Sequence, residues 1–540
     1  MTQVHEAVAT AIAQTGTKTV FGLMGDANML ILTSMMAAGD VEFVPSTYEG
    51  AAVAMADGYS RVSNRLGVVS VTHGPALTNA VTALTEACKA RSRVLLLAGD
   101  PPSLRDHLQH IDIPSLVAPT GAGYERVYSP ETAVDDFHRA VWRVHSERRP
   151  FVLNVPFDLL RQEAGEVGPL RSTIAAGSNV TAGADAVDQA LGAVASARRP
   201  LILAGRGAVE SGARDALIAL ADALDAPLAT TVAAKDLFRG HERNIGVMGT
   251  ISTTVGLDVI NQSDCIISFG ASLNQHTTDR GALVRGKRVV QVDEDAAQIN
   301  RRYGVDEFVI GDARRVAEAM AEALHAAGLA ATDGARLQTS GAVWAEAASP
   351  EPFRDRSTVD AIDLRAAMSS LADVLPSRRS LVTDVGRFMV APWKYIPVAD
   401  PRFFVPSVYF GSVGLGLGTA IGAAFAAPDQ VTVLVAGDAG FMMNIGELAT
   451  AVRNHLPLVA VVANDGAYGA EYRKLKEYGV DPGYSLNIWP DFAGMARGFG
   501  CDAVVVRTAS DIKLVKERVS ELNGPLVVEL RLDPAVDIAS

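Results

Sequence analysis

A chain of 540 residues, 49% hydrophobic and 20% charged, has the length of about three domains and a globular composition, which excludes a disordered chain or a minimal module. With 48 Lys and Arg against 61 Asp and Glu, its net charge is −13, so no global positive field draws it to nucleic acid or to an anionic membrane. Cys88, Cys265 and Cys501 stand far apart with no CxxC pair, which argues against disulfides or a zinc site and for a reducing compartment.

The first residues, MTQVHEAVATAIAQTG, form the pattern of an amphipathic helix and lack the basic start and apolar run of a signal peptide. A cytoplasmic protein is expected. Short Val/Leu/Ile runs then alternate with Ala-rich helical patterns: VVSVT (68–72), VLLLAG (94–99), FVLNVP (151–156), LILAG (201–205), CIISFG (265–270), RVVQVD (288–293), TVLVAGD (432–438), LVAVVAND (458–465) and LVVEL (526–530). None approaches the roughly 20 residues needed to span a bilayer. The alternation predicts an α/β fold of three doubly wound parallel-sheet domains, over residues 1–165, 185–330 and 360–540. Two stretches rich in Gly, Ala and Ser, about 162–188 and about 328–360, are expected to be linkers. Doubly wound sheets bind ligands at the carboxyl ends of their strands, so the residues following these runs are where chemistry is sought.

In the first unit those residues include Gly25-Asp26-Ala27-Asn28, Glu49 in PSTYEGAA, Thr72-His73-Gly74-Pro75, and His107-Leu108-Gln109-His110-Ile111-Asp112. A glutamate at a helix start is often no more than favourable to the helix dipole, and a lone His or Asp is often a surface or capping residue. In the middle unit the Gly205-Arg206-Gly207 turn is equally a nucleotide contact or a packing feature, and Asp293 could meet a ribose or solvent.

The last unit carries the sharpest pattern. A short strand ends in Thr383-Asp384-Val385-Gly386, and a glycine-rich stretch, Gly411-Ser412-Val413-Gly414-Leu415-Gly416-Leu417-Gly418, allows a tight turn and close helix packing. The strand TVLVAGD ends in Gly437-Asp438-Ala439-Gly440, and the next ends in Asn464-Asp465-Gly466-Ala467-Tyr468-Gly469. Acids at adjacent strand ends beside glycines can hold a hard divalent cation while backbone N–H groups take a diphosphate, although each Asp alone could simply cap a helix.

The segment GDAGFMMNIGELATAVRNHLPLVAVVANDGAYG resembles the thiamine diphosphate (ThDP) motif of the acetolactate synthase-like superfamily, GDG followed at an interval by Asn-Asn. The resemblance covers essentially the whole chain, in the order pyrimidine domain, central domain, diphosphate domain. It implies that Asp438, Asp465 and the carbonyl of Ala467 ligate Mg2+ bridging the diphosphate, with Gly437, Ala439, Gly440, Tyr468 and Gly469 around it. Ala439 stands for the last glycine of the motif, and Asp465 where Asn is commonest. It also implies that Val413, with Gly411 and Ser412, supports the bent cofactor, and that Asp384, Val385 and Gly386 line the diphosphate and thiazolium. Glu49 would hydrogen-bond the aminopyrimidine and promote loss of the thiazolium C2 proton. Because the family places ThDP between two chains, a homodimer or homotetramer is implied. The central domain holds FAD in some members; FAD is left open and not favoured.

Substrate positions point two ways. Asp26 and Glu471 fall where simple 2-oxo acid decarboxylases of the superfamily carry acids, and with His73 and His110 they form a candidate proton relay. Gln109 instead resembles the FQxxD pattern of the synthase branch, where it would face the substrate, yet Ala122 replaces the lysine that follows in that branch. The implied reaction is decarboxylation of a 2-oxo acid followed by addition to an aldehyde or keto acceptor. A non-ligating decarboxylase or C–C lyase is the first alternative. A ThDP-binding scaffold without turnover is the second, and retention of Glu49 argues against it.

Overall fold

The computed structural model describes residues 2–165, 167–170, 180–328 and 341–536. Among these residues eighteen strands form three six-stranded sheets. The first contains β1 (Thr19–Gly22), β2 (Glu42–Pro45), β3 (Gly67–Val71), β4 (Val94–Asp100), β5 (Gly123–Arg126) and β6 (Phe151–Pro156), in the order β2-β1-β3-β4-β6-β5. The middle sheet contains β7 (Pro200–Ala204), β8 (Leu228–Thr230), β9 (Asn244–Val247), β10 (Cys265–Phe269), β11 (Arg288–Asp293) and β12 (Glu307–Ile310), in the order β12-β11-β10-β7-β8-β9. The last contains β13 (Arg379–Thr383), β14 (Phe404–Pro406), β15 (Val431–Gly437), β16 (Leu458–Asn464), β17 (Asp502–Val506) and β18 (Leu526–Arg531), in the order β14-β13-β15-β16-β18-β17.

Pairing is parallel throughout the registered strands, for example Val433 with Val459 and Val461 with Val528. The interior strands β3, β4, β6, β10 and β16 are buried at every position, because helices cover both faces and leave no solvent side for polar residues. That is why the sequence shows them as unbroken apolar runs. The edge strands β2 and β12 are only partly buried.

By contact density the chain forms two compact units. One comprises residues 1–174, 355–396 and 405–540 and holds the first and last sheets; the other comprises residues 175–354 and 397–404 and holds the middle sheet. Within the first unit the helix Glu49–Ser63 packs against the helix Gly416–Ala426. Glycine makes this close: a Cβ on Gly422 would lie 1.8 Å from the carbonyl oxygen of Met55, and one on Gly58 would lie 2.1 Å from that of Thr419. Within the second unit a core lies on each face of the sheet.

The second stretch expected to be a linker needs correction. Residues Gly341–Ala347 form a helix whose Trp344 and Ala347 are buried in the core of the middle unit; two apolar residues at helical spacing suffice to anchor a short helix that the polar surroundings obscure. In the first such stretch a helix begins at Ala184, and residues 171–179 and 329–340 lie outside the described residues. Among the described residues no helix is long and apolar enough to cross a membrane.

Candidate cofactor and active site

In each sheet the chain leaves one strand to one side and returns to its other side, which opens a crevice at the carboxyl ends. These crevices lie between β1 and β3, between β7 and β10, and between β13 and β15.

In the middle unit backbone fills that position. A Cβ on Gly205 would lie 2.3 Å from the carbonyl oxygen of Gly270, and the Gly207 N–H donates to that same oxygen at 3.0 Å. The Gly205-Arg206-Gly207 turn is therefore a packing feature. Asp293 accepts a hydrogen bond from the Asp295 N–H at 3.0 Å.

The first sheet gathers several of the expected residues. Asn28 fixes the turn after β1: its Oδ1 accepts from the Gly25 N–H at 2.8 Å, and its amide donates to the Leu23 carbonyl at 3.0 Å and the Ser70 hydroxyl at 3.1 Å. Gly25 packs so tightly on Thr72 that a Cβ would approach it to 2.7 Å, which brings Asp26 toward His73. His73 is buried, and its Nδ1 has no hydrogen-bond partner among the described residues. Burial lowers its pKa, the neighbouring His107 lowers it further, and Asp26 opposes both. The two imidazoles meet edge to face with centroids 5.6 Å apart.

Gln109 joins this cluster through its backbone, which lies over Gly74 so closely that a Cβ there would sit 2.6 Å from the Gln109 carbonyl oxygen. Its N–H lies 3.3 Å from the His107 Nδ1. His110, expected in the relay, is exposed; the imidazole facing His73 belongs to His107, three residues earlier in the same HLQH segment. Glu49 opens the helix Glu49–Ser63, is 8% exposed, and accepts from the Asn79 side-chain amide at 3.1 Å. Nothing in the local sequence marks Asn79 as its partner.

At the last sheet, Asp438 begins the helix Asp438–Met443 at the end of β15. Its Oδ1 accepts from the Ala439 N–H at 2.6 Å and its Oδ2 from the Gly466 N–H at 2.9 Å. Asp465 accepts from the Ala467 N–H at 3.1 Å. Burial, and then the facing Asp465 carboxylate, push the Asp438 carboxyl up to about 7. The indole N–H of Trp489 lies toward Asp438 and favours its charged form, though short of hydrogen-bond geometry.

Two carboxylates that repel one another, one buried and one half-buried, are the donor set a divalent cation stabilises. Among the described residues no three His, Cys, Asp or Glu side chains converge as ligands. A cation here would complete its shell from the adjacent Ala467 carbonyl and from phosphate oxygens, which suits magnesium. The space above the pair is a glycine cradle: a Cβ on Gly440 would lie 2.5 Å from the Asp384 Oδ2 and 3.0 Å from the Val413 Cγ1, and one on Gly469 would lie 2.9 Å from the Asp465 Oδ2. The residues present thus fit a metal-bound diphosphate.

Asp384 serves this cradle from beneath. It is buried, and it accepts from the Val385 N–H at 2.9 Å and the Gly414 N–H at 2.9 Å, with Gly416 a third donor. Burial pushes its carboxyl up to about 7 against these donors. Asp384 therefore shapes the turn that presents Gly411, Ser412 and Val413, and Val413 itself is 40% exposed. The Asn444 side-chain amide donates to the Gly414 carbonyl at 2.5 Å.

The same turn is held from the first sheet. Glu86, on the helix Pro75–Lys89, accepts from the Tyr409 N–H at 2.9 Å and the Phe410 N–H at 2.5 Å. Arg61 donates to the Pro406 carbonyl at 3.0 Å and stacks over the Tyr409 ring at 5.1 Å. Neither residue is marked in the sequence, because their partners lie more than 300 positions away.

Glu471 is exposed on the helix Gly469–Glu477 and lines a hollow of about 300 Å³ with Tyr468, Lys474, Leu475, Tyr478, Tyr484 and Ser485. No hydrogen bond or ion pair among the described residues joins it to Asp26 or His73. Its hollow adjoins the Asp438 and Asp465 pair through Ala467, which precedes Tyr468.

Residues 2–116 match the model of the thiamine pyrophosphate enzyme N-terminal TPP binding domain, residues 187–320 that of the central domain, and residues 384–530 that of the C-terminal TPP binding domain. The chain is 26% identical over 552 residues to a probable acetolactate synthase large subunit of Methanococcus aeolicus, covering 98% of this chain and 92% of that protein. It is 28% identical over 544 residues to the sulfoacetaldehyde acetyltransferase of Alcaligenes xylosoxydans xylosoxydans, covering 95% and 89%. Its fold is that of the thiamine diphosphate-dependent 4-hydroxybenzoylformate decarboxylase of Rhodococcus jostii RHA1, with a TM-score of 0.83 at 22% identity over 98% of this chain and 99% of that one.

Proposed function

As this chain belongs to the thiamine pyrophosphate enzyme family, we propose that it is a ThDP- and magnesium-dependent enzyme that decarboxylates a 2-oxo acid and joins the remaining fragment to an acceptor carbonyl. The observation that carries this reading is the pairing, in one chain, of buried Glu49 at a helix start with the facing carboxylates Asp438 and Asp465. The relatives named an acetolactate synthase and an acetyltransferase both support transfer to an acceptor.

When bound, ThDP supplies a carbanion equivalent that attacks a carbonyl and accepts the electrons released with carbon dioxide. Asp438, Asp465 and the Ala467 carbonyl hold the magnesium, and the glycines at 437, 440 and 469, with Ala439 and Tyr468, admit the diphosphate. Asp384 and Glu86 hold the turn that presents Gly411, Ser412 and Val413, with Val385 and Gly386 alongside. Glu49, fixed by Asn79, keeps a carboxyl aimed for proton exchange with the aminopyrimidine of a cofactor shared between two copies of the chain. His73, with His107 and Asp26 around it, exchanges protons at the substrate; Gln109 orients the substrate carbonyl; His110 and Glu471 act from the rim.

A second reading, decarboxylation or C–C cleavage ending in simple protonation, is favoured by one observation: buried His73 meets the His107 ring edge to face at 5.6 Å with Asp26 nearby, a cluster able to pass a proton to the substrate. Mass spectrometry of products decides between the two, using the protein with ThDP, magnesium and a panel of 2-oxo acids, with and without an aldehyde. A hydroxy-ketone or acetohydroxy acid is the expected product, and plain aldehyde would select the second reading. Glu49→Gln should bind ThDP yet lose turnover; full turnover in that variant would overturn both.

A further inference from the structure

We propose that Arg387 is the charge partner of the metal and diphosphate site, offsetting the second carboxylate at Asp465, and that its guanidinium also fastens the C-terminal segment to the rim of that site. This rests on the ThDP reading above.

Without it the site carries a larger excess of negative charge. A divalent cation offsets the two carboxylates Asp438 and Asp465 and leaves the diphosphate charge unmatched in a buried site, where such an imbalance is strongly felt. Arg387 stands next to Gly386, at the carboxyl end of β13, and begins the short turn Arg387–Met389. The space that a Cβ on Gly469 would take lies 2.9 Å from the Asp465 Oδ2 and 3.7 Å from both Cβ and Cδ of Arg387. The carboxylate and the arginine stem therefore meet across one glycine.

The guanidinium hydrogen bonds are made to neutral groups. One Nη donates to the Pro534 carbonyl at 3.0 Å and the other to the Val536 carbonyl at 2.8 Å. Carbonyl acceptors orient the fork and do not themselves cancel its positive charge, unlike a bidentate carboxylate. The same contacts tie the segment after β18 to the end of β13.

The test is calorimetric titration of the cofactor-freed full-length protein with ThDP at saturating magnesium, for the parent, Arg387→Gln, Asp465→Asn and the double variant. Arg387→Gln should weaken ThDP binding about tenfold, and the double variant, which restores the net charge, should recover to within about threefold of the parent. Arg387→Lys, which keeps the charge but loses the fork, should bind ThDP nearly as the parent does while amide exchange at Ala535 and Val536 accelerates. The charge pairing is refuted if Arg387→Gln leaves ThDP affinity unchanged or if the double variant binds no better than Arg387→Gln. Unchanged exchange at Ala535 and Val536 in both arginine variants refutes the anchoring. A parent that binds no ThDP defeats the functional reading itself, a result distinct from any of these.

Discussion

The Oε1 of Glu447 receives both the backbone N–H of Thr47, at 2.9 Å, and the Thr47 hydroxyl, at 2.7 Å. Its other oxygen receives the Thr450 hydroxyl at 2.7 Å, and Arg453 donates to the Pro45 carbonyl. The segment leading into Glu49 is thus gripped, within one chain, by the stretch that follows Asp438 through one buried carboxylate. Glu447→Ala strands these donors and is expected to cost about 2–4 kcal/mol of stability, read as a lowered thermal transition. An unchanged transition would show that the grip is dispensable.

Glu86 does the equivalent for the glycine-rich turn. Glu86→Ala leaves the N–H groups of Tyr409 and Phe410 without their acceptor, so ThDP affinity should fall about tenfold. Glu86→Gln, which keeps one acceptor oxygen, should lose less. Titration with ThDP at fixed magnesium separates the two; equal loss in both variants would mean that the charge matters rather than the acceptor.

Asp384 makes stability depend on pH. Its folded pKa, about 7, lies above the ordinary carboxyl value of 3.8, so the folded protein holds this proton more tightly than the unfolded chain. That contribution is fully present below the ordinary value and is lost as pH rises through about 7. In the absence of ThDP and metal, the melting temperature of the parent relative to Asp384→Asn should therefore fall between pH 5 and pH 8, by about 2 °C. A difference that stays flat across this range would mean that the carboxyl is already ionised at its lower end.

The seam between the helices Glu49–Ser63 and Gly416–Ala426 leaves no space for a methyl group. Gly422→Ala sets a Cβ against the Met55 carbonyl oxygen and should destabilise the protein by about 3 kcal/mol. Gly498→Ala, on a helix where a Cβ would meet nothing within 4 Å, is the matched control and should be neutral or stabilising.

Residues that are special in their own neighbourhood were legible without coordinates. Asp438 and Asp465 stand beside glycines at the ends of apolar runs, and those runs are the buried interior strands. Strands such as β9, β12 and β14 escaped because they are only three or four residues long, too short for a period to show. His110 drew attention through its spacing, whereas a turn in which the His107 N–H bonds the Leu104 carbonyl presents His107 to His73 instead. Asn79, Glu86, Glu447 and Trp489 act on partners distant in the chain, and no local pattern encodes a contact of that kind.

The hollow beside Ala467 obeys different rules from the rest of the molecule. Tyr478 and Tyr484 are 77% and 82% exposed, so exchanging them disturbs neither the helix seam nor the carboxylate pair. Mutational drift is cheap there and expensive a few ångströms away. A combinatorial library confined to Leu475, Tyr478 and Tyr484 would accordingly sample new guests while the folding of nearly every member stays intact.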